Sequence, residues 1–195
     1  MVSRRERSIE GAWFERLYAE QGDPWGFETS AYEQAKYAET IRALPKPRYA
    51  DALEVGCANG VLTALLAPHC DRLLALDPSP TALAAARARC RDLPQVRLEE
   101  RSLPAQVPAG SFDLILLSEV IYYWDSADLA RMATYLVQAL RSGGDLLLVH
   151  WTGNTDYPKS GDDAVTELRD LLGGAVVERR HDRHERYRLD LWRRA

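Results

Sequence analysis

The sequence predicts an open α/β sheet with helices on both faces, and three observations predict it. The apolar run Asp51-Ala-Leu-Glu-Val55 breaks at Gly56-Cys-Ala-Asn-Gly60, and the periodic apolar stretch 61–67 follows at once, the pattern of a buried strand, a tight loop and a helix. A second apolar run, Leu73-Leu-Ala-Leu, ends in Asp77, about 20 residues beyond the first glycine of that loop. Further on, apolar runs keep alternating with helical patterns, as successive βα units require.

Two helices precede the first strand. Residues 8–20 place Ile9, Trp13, Leu17, Phe14 and Tyr18 on one side. The segment Gln21-Gly-Asp-Pro-Trp-Gly26 breaks that helix, and a second runs over 29–44 until Pro45 and Pro47 end it. This front segment is rich in rings, most of which suit anchoring. Trp25, held in a Pro/Gly-bounded turn, is the best candidate for a lid over a cationic or aromatic ligand group. The first crossover helix stops at Pro68, with His69 on the loop after it. A second strand over 72–77 leads through Pro78-Ser-Pro80 into an alanine-rich helix over 81–91, where Ser79 suits capping. Val96-Arg-Leu-Glu-Glu100 alternates like a strand near a sheet edge. Ser111-Phe-Asp-Leu-Ile-Leu-Leu-Ser118 is nearly all apolar, as in a strand covered on both faces. A helix over 126–140 closes at Gly143-Gly144, a fifth strand covers 145–150, and the polar loop 152–163 crosses the same rim. A short helix over 164–172 precedes two tail strands joined near His184-Glu185, with Tyr187, Leu189 and Leu191 inward. The tail arginines interleave with acids, as on a solvated hairpin.

The loop decides the ligand class. Such a strand–loop–helix junction turns backbone N–H groups and a helix dipole toward one point, suited to a polar or anionic ligand group. A dinucleotide fold needs Gly-x-Gly-x-x-Gly to close on a pyrophosphate. Here Ala58 occupies the middle glycine position and no third glycine follows. Glu54-x-Gly56-Cys57-x-x-Gly60 with Asp77 resembles the signature of class I S-adenosylmethionine-dependent methyltransferases, whose cofactor has a ribose and a methionine tail but no pyrophosphate. The expected cofactor residues are Trp25, Glu54, Gly56, Cys57, Ala58, Gly60, Asp77, Pro78, Ser102, Leu103, Ser118 and Glu119. Ser102 stands where that class often carries an acid for the adenine amino group, leaving a serine or the backbone at Leu103 for the task.

Within that class the chain resembles the nodulation protein S branch. The resemblance lies in Leu53-Glu-Val-Gly-Cys-Ala-Asn-Gly60, Leu65-Leu-Ala-Pro-His69, Leu74-Ala-Leu-Asp77, Phe112-Asp-Leu-Ile-Leu-Leu-Ser-Glu-Val-Ile-Tyr-Tyr123 and the front segment from Asp23 to Tyr37. It covers most of residues 10–150 and weakens beyond His150. The resemblance implies a Rossmann-like fold with a seven-stranded, mostly parallel sheet of order 3-2-1-4-5-7-6. It also implies S-adenosylmethionine as methyl donor, with S-adenosylhomocysteine as product, and the free amine of an amino-sugar oligosaccharide as acceptor; other glycans or small molecules are alternatives.

In an open sheet, ligands bind beyond the carboxyl ends of the strands where the order reverses. The first and fourth strands should flank that point, so Ser118, Glu119, Tyr122 and Tyr123 are expected where donor meets acceptor. An amine must be neutral to attack, and a carboxylate can take its proton. Glu119 is the first candidate base and His150 the second, with Tyr122 or Tyr123 as orienting donors. Glu119 could instead bind the cofactor's amino group or cap the next turn, and His150 could be a satisfied strand-end residue. A nicotinamide-dependent oxidoreductase and a non-catalytic cofactor-binding accessory protein are the competing classes.

The bulk numbers agree with a single domain. A chain of 195 residues, 46% hydrophobic and 28% charged, suits one α/β domain, with 1–47 as an N-terminal helical lid and 48–195 as the core. A net charge of −4 offers no global field for nucleic acid or an anionic membrane. The three cysteines, Cys57, Cys70 and Cys90, lack CxxC spacing, so neither a disulfide framework nor a metal site is expected. The N-terminus Met-Val-Ser-Arg-Arg-Glu-Arg has no apolar leader core, and no apolar run could span a bilayer. The expectation is a cytoplasmic monomer or weak homodimer acting on a small-molecule or glycan acceptor.

Overall fold

The computed structural model describes residues 4–195. The leader reading rests partly on residues 1–3, which lie outside that range. Among the described residues the strands are β1 (Ala52–Val55), β2 (Leu73–Asp77), β3 (Val96–Glu100), β4 (Phe112–Ser118), β5 (Leu140–Trp151), β6 (Val176–Arg183) and β7 (Tyr187–Arg194). They form a seven-stranded sheet in the order β3-β2-β1-β4-β5-β7-β6, the order that the resemblance implies. The helices are α1 (Gly11–Gln21), α2 (Ala31–Arg42), α3 (Val61–Leu66), α4 (Pro80–Arg89), α5 (Ser126–Ala139) and α6 (Gly161–Leu172). Among the described residues there are two compact units: Glu10–Ser102, and Leu103–Ala195 with residues 4–9.

In the unit Glu10–Ser102, β2 pairs in parallel with both β1 and β3. Every residue of β1 is buried, while β3 is only half-buried, as an edge strand should be. Ser30 caps α2 by accepting from the Glu33 N–H at 3.4 Å, and Ser79 caps α4 by accepting from Ala82 at 3.0 Å. Pro80 opens α4, where its missing N–H costs nothing. Asp23 fixes the turn between α1 and α2, its two oxygens accepting the Phe27 and Glu28 N–H groups at 2.9 Å each.

The helix expected from residue 8 begins only at Gly11. Ser8 is drawn elsewhere: its hydroxyl accepts from the Asp125 N–H at 2.9 Å and donates to Asp128. Ile9 donates its N–H to the Tyr123 carbonyl at 2.9 Å, and Arg5 pairs with Asp156 at 3.1 Å. Residues 4–9 therefore lie as a strap on the second unit, and tertiary partners outweigh helix propensity there.

In that unit β4 and β5 pair in parallel, and β7 runs antiparallel to both β5 and β6. Leu114, Ile115, Leu116 and Leu117 of β4 and Leu146 to Val149 of β5 have no exposed surface, which explains their unbroken apolar runs. The Gly143-Gly144 stop is corrected: α5 ends at Ala139 and β5 begins at Leu140. Leu140 pairs with Phe112 and the register then slips so that Leu114 meets Asp145. The glycines thus lie in a bulge within the strand, where pairing on either side overrides their weak strand preference. The tail hairpin matches the sequence reading, with Tyr187, Leu189 and Leu191 buried. Among the described residues no helix is long and apolar enough to cross a membrane, and no His, Cys, Asp and Glu cluster could hold a metal ion.

Candidate functional site

Each unit gathers its own share of the residues singled out from the sequence. In Glu10–Ser102, the loop after β1 is wound unusually: Gly56 (φ 79°), Ala58 (φ 51°) and Gly60 (φ 79°) are all left-handed. Its N–H groups turn inward. Those of Gly56 and Cys57 donate to the Leu76 carbonyl at 2.8 and 2.9 Å, and that of Gly60 donates to Cys57 at 2.9 Å. The Ala58 N–H donates to Asp77 Oδ2 at 2.9 Å. The sequence suggested a ring of backbone donors aimed at a ligand; in the structure four of them serve the protein instead.

Acceptors are what this region holds in reserve. Asp77 is buried, its other oxygen accepting the Ser79 N–H at 2.9 Å. Burial pushes its pKa up to about 6 against the pull of those two N–H bonds, and the Glu15 charge adds to the rise. A carboxylate has about four lone-pair sites, so two backbone bonds leave acceptor capacity for ribose hydroxyls. Glu54 is fully buried, its pKa lifted to about 7 by burial and further by the Asp77 charge. Its Oε2 has no hydrogen-bond partner among the described residues. Two buried acids with spare acceptor capacity fit a cofactor carrying hydroxyl and ammonium donors. They do not fit a pyrophosphate.

Pro78 and Ser102 both lie against α1: a Cβ on Gly11 would come within 2.9 Å of Pro78 Cβ and 2.8 Å of Ser102 Oγ. Cys57 is buried in a cluster with Ala75 and Leu83, and burial pushes its thiol well above the ordinary value. Trp25 stacks on Phe27 with centroids 5.6 Å apart and meets Tyr18 edge-on at 5.6 Å. Sequence reasoning missed two carboxylates of the front segment. Glu15 reaches Ser79 and Thr81 at the start of α4. Glu28 pairs with Arg89, which also donates to the Asn59 carbonyl at 3.0 Å. Each looks in sequence like a solvated helix or turn acid, because its partner lies about 60 residues away.

The other unit holds Leu103, Ser118, Glu119, Tyr122 and His150. Glu119, just past β4, is a non-glycine residue at φ 58°, a conformation that costs roughly 1–2 kcal/mol and recurs at functional positions. Its N–H donates to the Val149 carbonyl at 2.8 Å. Its Oε2 accepts the Trp151 N–H at 2.8 Å and the Tyr122 hydroxyl at 2.6 Å. The carboxylate thus ties the end of β4 to the end of β5. Burial, then the Glu119 charge, holds the Tyr122 phenol well above its usual pKa, so it stays a donor. Tyr157, from the 152–163 loop, stacks on Tyr122 at 5.4 Å and meets Tyr123 at 4.6 Å. His150 is fully buried, and its Nε2 accepts the Ile121 N–H at 3.4 Å. That bond makes Nε2 an acceptor and assigns the proton to Nδ1. Tyr157 carried no spacing signal of its own; only the polar loop around it did.

Comparison with known proteins places these features in a group. The sequence profile of the family described as Nodulation protein S (NodS) matches residues 14–155. A Nodulation protein S of Sinorhizobium fredii is 34% identical over 127 residues, covering 64% of this chain and 59% of that protein. The chain spans about half the length of the curated relatives it matches. A crystal structure of a candidate methyltransferase from Pseudomonas syringae is 39% identical, with TM-score 0.74, and covers 85% of this chain and all of that one. The N-methyltransferase NodS of Bradyrhizobium japonicum WM9, solved with S-adenosyl-l-homocysteine, shares the fold. Its TM-score is 0.83 at 24% identity, over 95% of this chain and 99% of that one.

Proposed function

The chain belongs to the nodulation protein S family of S-adenosylmethionine-dependent methyltransferases, and from that premise we propose that it methylates the amine of an amino-sugar, an oligosaccharide or a related small molecule. The observation that carries the cofactor half of this reading is the inward-turned loop. With the N–H groups of Gly56, Cys57, Ala58 and Gly60 bonded to protein acceptors, these four do not serve a pyrophosphate, whereas Asp77 and Glu54 suit hydroxyl and ammonium donors. This argues against the nicotinamide alternative on the same architecture.

When bound, S-adenosylmethionine supplies a carbon activated by its sulfonium for in-line displacement. In this proposal Asp77 takes the ribose hydroxyls, and Glu54 stabilises the loop and the methionine end. Ser102 and the backbone at Leu103 meet the adenine edge. Glu119 is assigned as the base that accepts a proton from the attacking amine, so that the nitrogen lone pair is free as the new bond forms. Tyr122 holds that carboxylate through the 2.6 Å bond, and His150 fixes the Ile121 turn from behind.

The test is a labelled methyl-transfer assay on a panel of deacetylated chitooligosaccharides, small amines, phenols and carboxylates, beside calorimetry with S-adenosylhomocysteine and NAD. The expected result is tight binding of S-adenosylhomocysteine, none of NAD, and a product methylated on nitrogen. Transfer to oxygen alone would replace the amine assignment with O-methylation. Glu119→Gln keeps an acceptor oxygen for Trp151 and Tyr122, so it should leave cofactor affinity intact and cut turnover by roughly 10²- to 10⁴-fold. Unchanged turnover would remove Glu119 from the base role.

A further inference from the structure

We propose that Glu15 of α1 is a positioning residue for the cofactor, setting the Asp77 carboxylate for the ribose through Ser79. The proposal rests on the assignment of Asp77 to the cofactor. Glu15 is half-buried and makes several directed contacts. Its Oε2 accepts the Ser79 hydroxyl at 2.6 Å and the Thr81 N–H at 3.1 Å, and its Oε1 accepts the Thr81 hydroxyl at 2.6 Å. Three donors on one carboxylate, two of them at O–H···O⁻ distances of the charge-assisted kind, define a single placement.

Ser79 is the shared link. Its N–H donates to Asp77 Oδ1 at 2.9 Å, its hydroxyl donates to Glu15, and the same hydroxyl oxygen accepts from Ala82 at 3.0 Å. One residue therefore carries the backbone grip on Asp77 and the side-chain grip on α1. Asp77 in turn grips Ala58 in the loop, giving a continuous chain of hydrogen bonds from α1 to the loop: Glu15, Ser79, Asp77, Ala58. The neighbouring faces are built to match. Gly11, one turn before Glu15, lets α1 close on Pro78 and Ser102, since a Cβ there would fall 2.9 and 2.8 Å from them. Tyr18, one turn after, is buried with the Asp77 charge close enough to raise its phenol pKa. Positions 11, 15 and 18 share one helical stripe, and the whole stripe faces the Asp77–Ser79 turn or Ser102.

A clasp that merely docks α1 would make the same bonds, so the experiment must read the ribose. Calorimetry on the full chain compares S-adenosylhomocysteine with its 2′,3′-dideoxy analogue for the unaltered protein, Glu15→Ala and Glu15→Gln, with thermal melts as a check of folding. Removing one charge-assisted hydrogen bond next to a ligand-binding acid is worth about tenfold in affinity. We expect Glu15→Ala to weaken S-adenosylhomocysteine by about that factor while leaving the dideoxy analogue nearly unchanged, so that the preference for ribose hydroxyls shrinks. Glu15→Gln, which retains acceptor oxygen and folds with the least disturbance, should fall between. Equal weakening of both ligands, or no weakening of either, would overturn the positioning role while leaving the cofactor assignment standing. Failure of the unaltered chain to bind S-adenosylhomocysteine would instead overturn the cofactor assignment, and this role with it.

Discussion

Glu54 is the place where the site should be felt in the stability of the ligand-free chain. Its pKa rises from 4.5 to about 7 in the folded state, chiefly through burial. Each unit is worth about 1.4 kcal/mol, so keeping this acid ionised and buried costs roughly 3 kcal/mol above neutrality. The sign follows from proton counting. Between pH 4.5 and about 7 the folded chain holds a proton that the unfolded chain has lost, so stability falls as pH rises through that window. Asp77, raised from 3.8 to about 6, acts in the same sense and couples to Glu54. Glu15, Asp125 and Asp162 have lowered values, so the stability they contribute is lost only at more acid pH. The perturbation is Glu54→Gln, which removes the charge and relieves Asp77 of a like-charged neighbour. Thermal melts of the ligand-free chain from pH 5 to 8.5 supply the measurement. At 2–4 °C per kcal/mol for a chain of this size, the variant should melt roughly 6–12 °C higher at pH 8 and close to the parent at pH 5. The parent's own midpoint should fall as pH rises. A variant whose profile runs parallel to the parent's would refute the reasoning, because the titrating charge would then lie elsewhere.

Two further substitutions test the scaffold. Gly60 sits at φ 79° with the backbone of α4 beside it, so a Cβ would fall 2.9 Å from Ala86 Cα. Gly60→Ala should cost about 2–4 kcal/mol in denaturant melts, from left-handed strain and crowding together; an unchanged midpoint would contradict the close approach. Asp190 is fully buried and accepts His181 Nδ1 at 2.6 Å and Arg188 Nε at 2.8 Å. Arg188 keeps Asp162 at 3.0 Å as a second partner, so Asp190→Ala should cost about 1–3 kcal/mol, with Asp190→Asn milder, both read by urea unfolding.

The strands were legible because their patterns report burial directly. The unbroken run in β4 announces a strand with two covered faces, and the alternation in β3 announces an edge. The cap at Ser79 was likewise local, readable from its place just before Pro80 and the alanine-rich helix. What sequence could not supply was any bond closed by distant residues. Ser8 looks like a helix start until Asp125 and Asp128 claim it, and Gly143-Gly144 looks like a helix stop until strand pairing encloses it. The site divides the same way. Asp77 and the loop glycines could be found from spacing, but Glu15 and Arg89 could not. A polar residue on a helix surface has no periodic signature that separates a clasp from a solvated side chain.

Ala58 shows how closely the loop and the strand-end acid depend on each other. Glycine would reach φ 51° at no cost; alanine does so only if something repays roughly 1–2 kcal/mol. The bond from its N–H to the buried Asp77 carboxylate is of the charge-assisted kind that can supply as much. Asp77 thus holds the loop in its strained form and, in the proposed function, offers its remaining lone pairs to a ligand. Asp77→Asn would disturb both at once, since an amide presents one acceptor oxygen where the Ala58 and Ser79 N–H groups both point. Loss of cofactor binding in that variant would not separate a broken ribose contact from a released loop. Removing the hydroxyls from the ligand leaves the loop intact and isolates the contact, which is why the ribose assignment is best tested from the ligand's side.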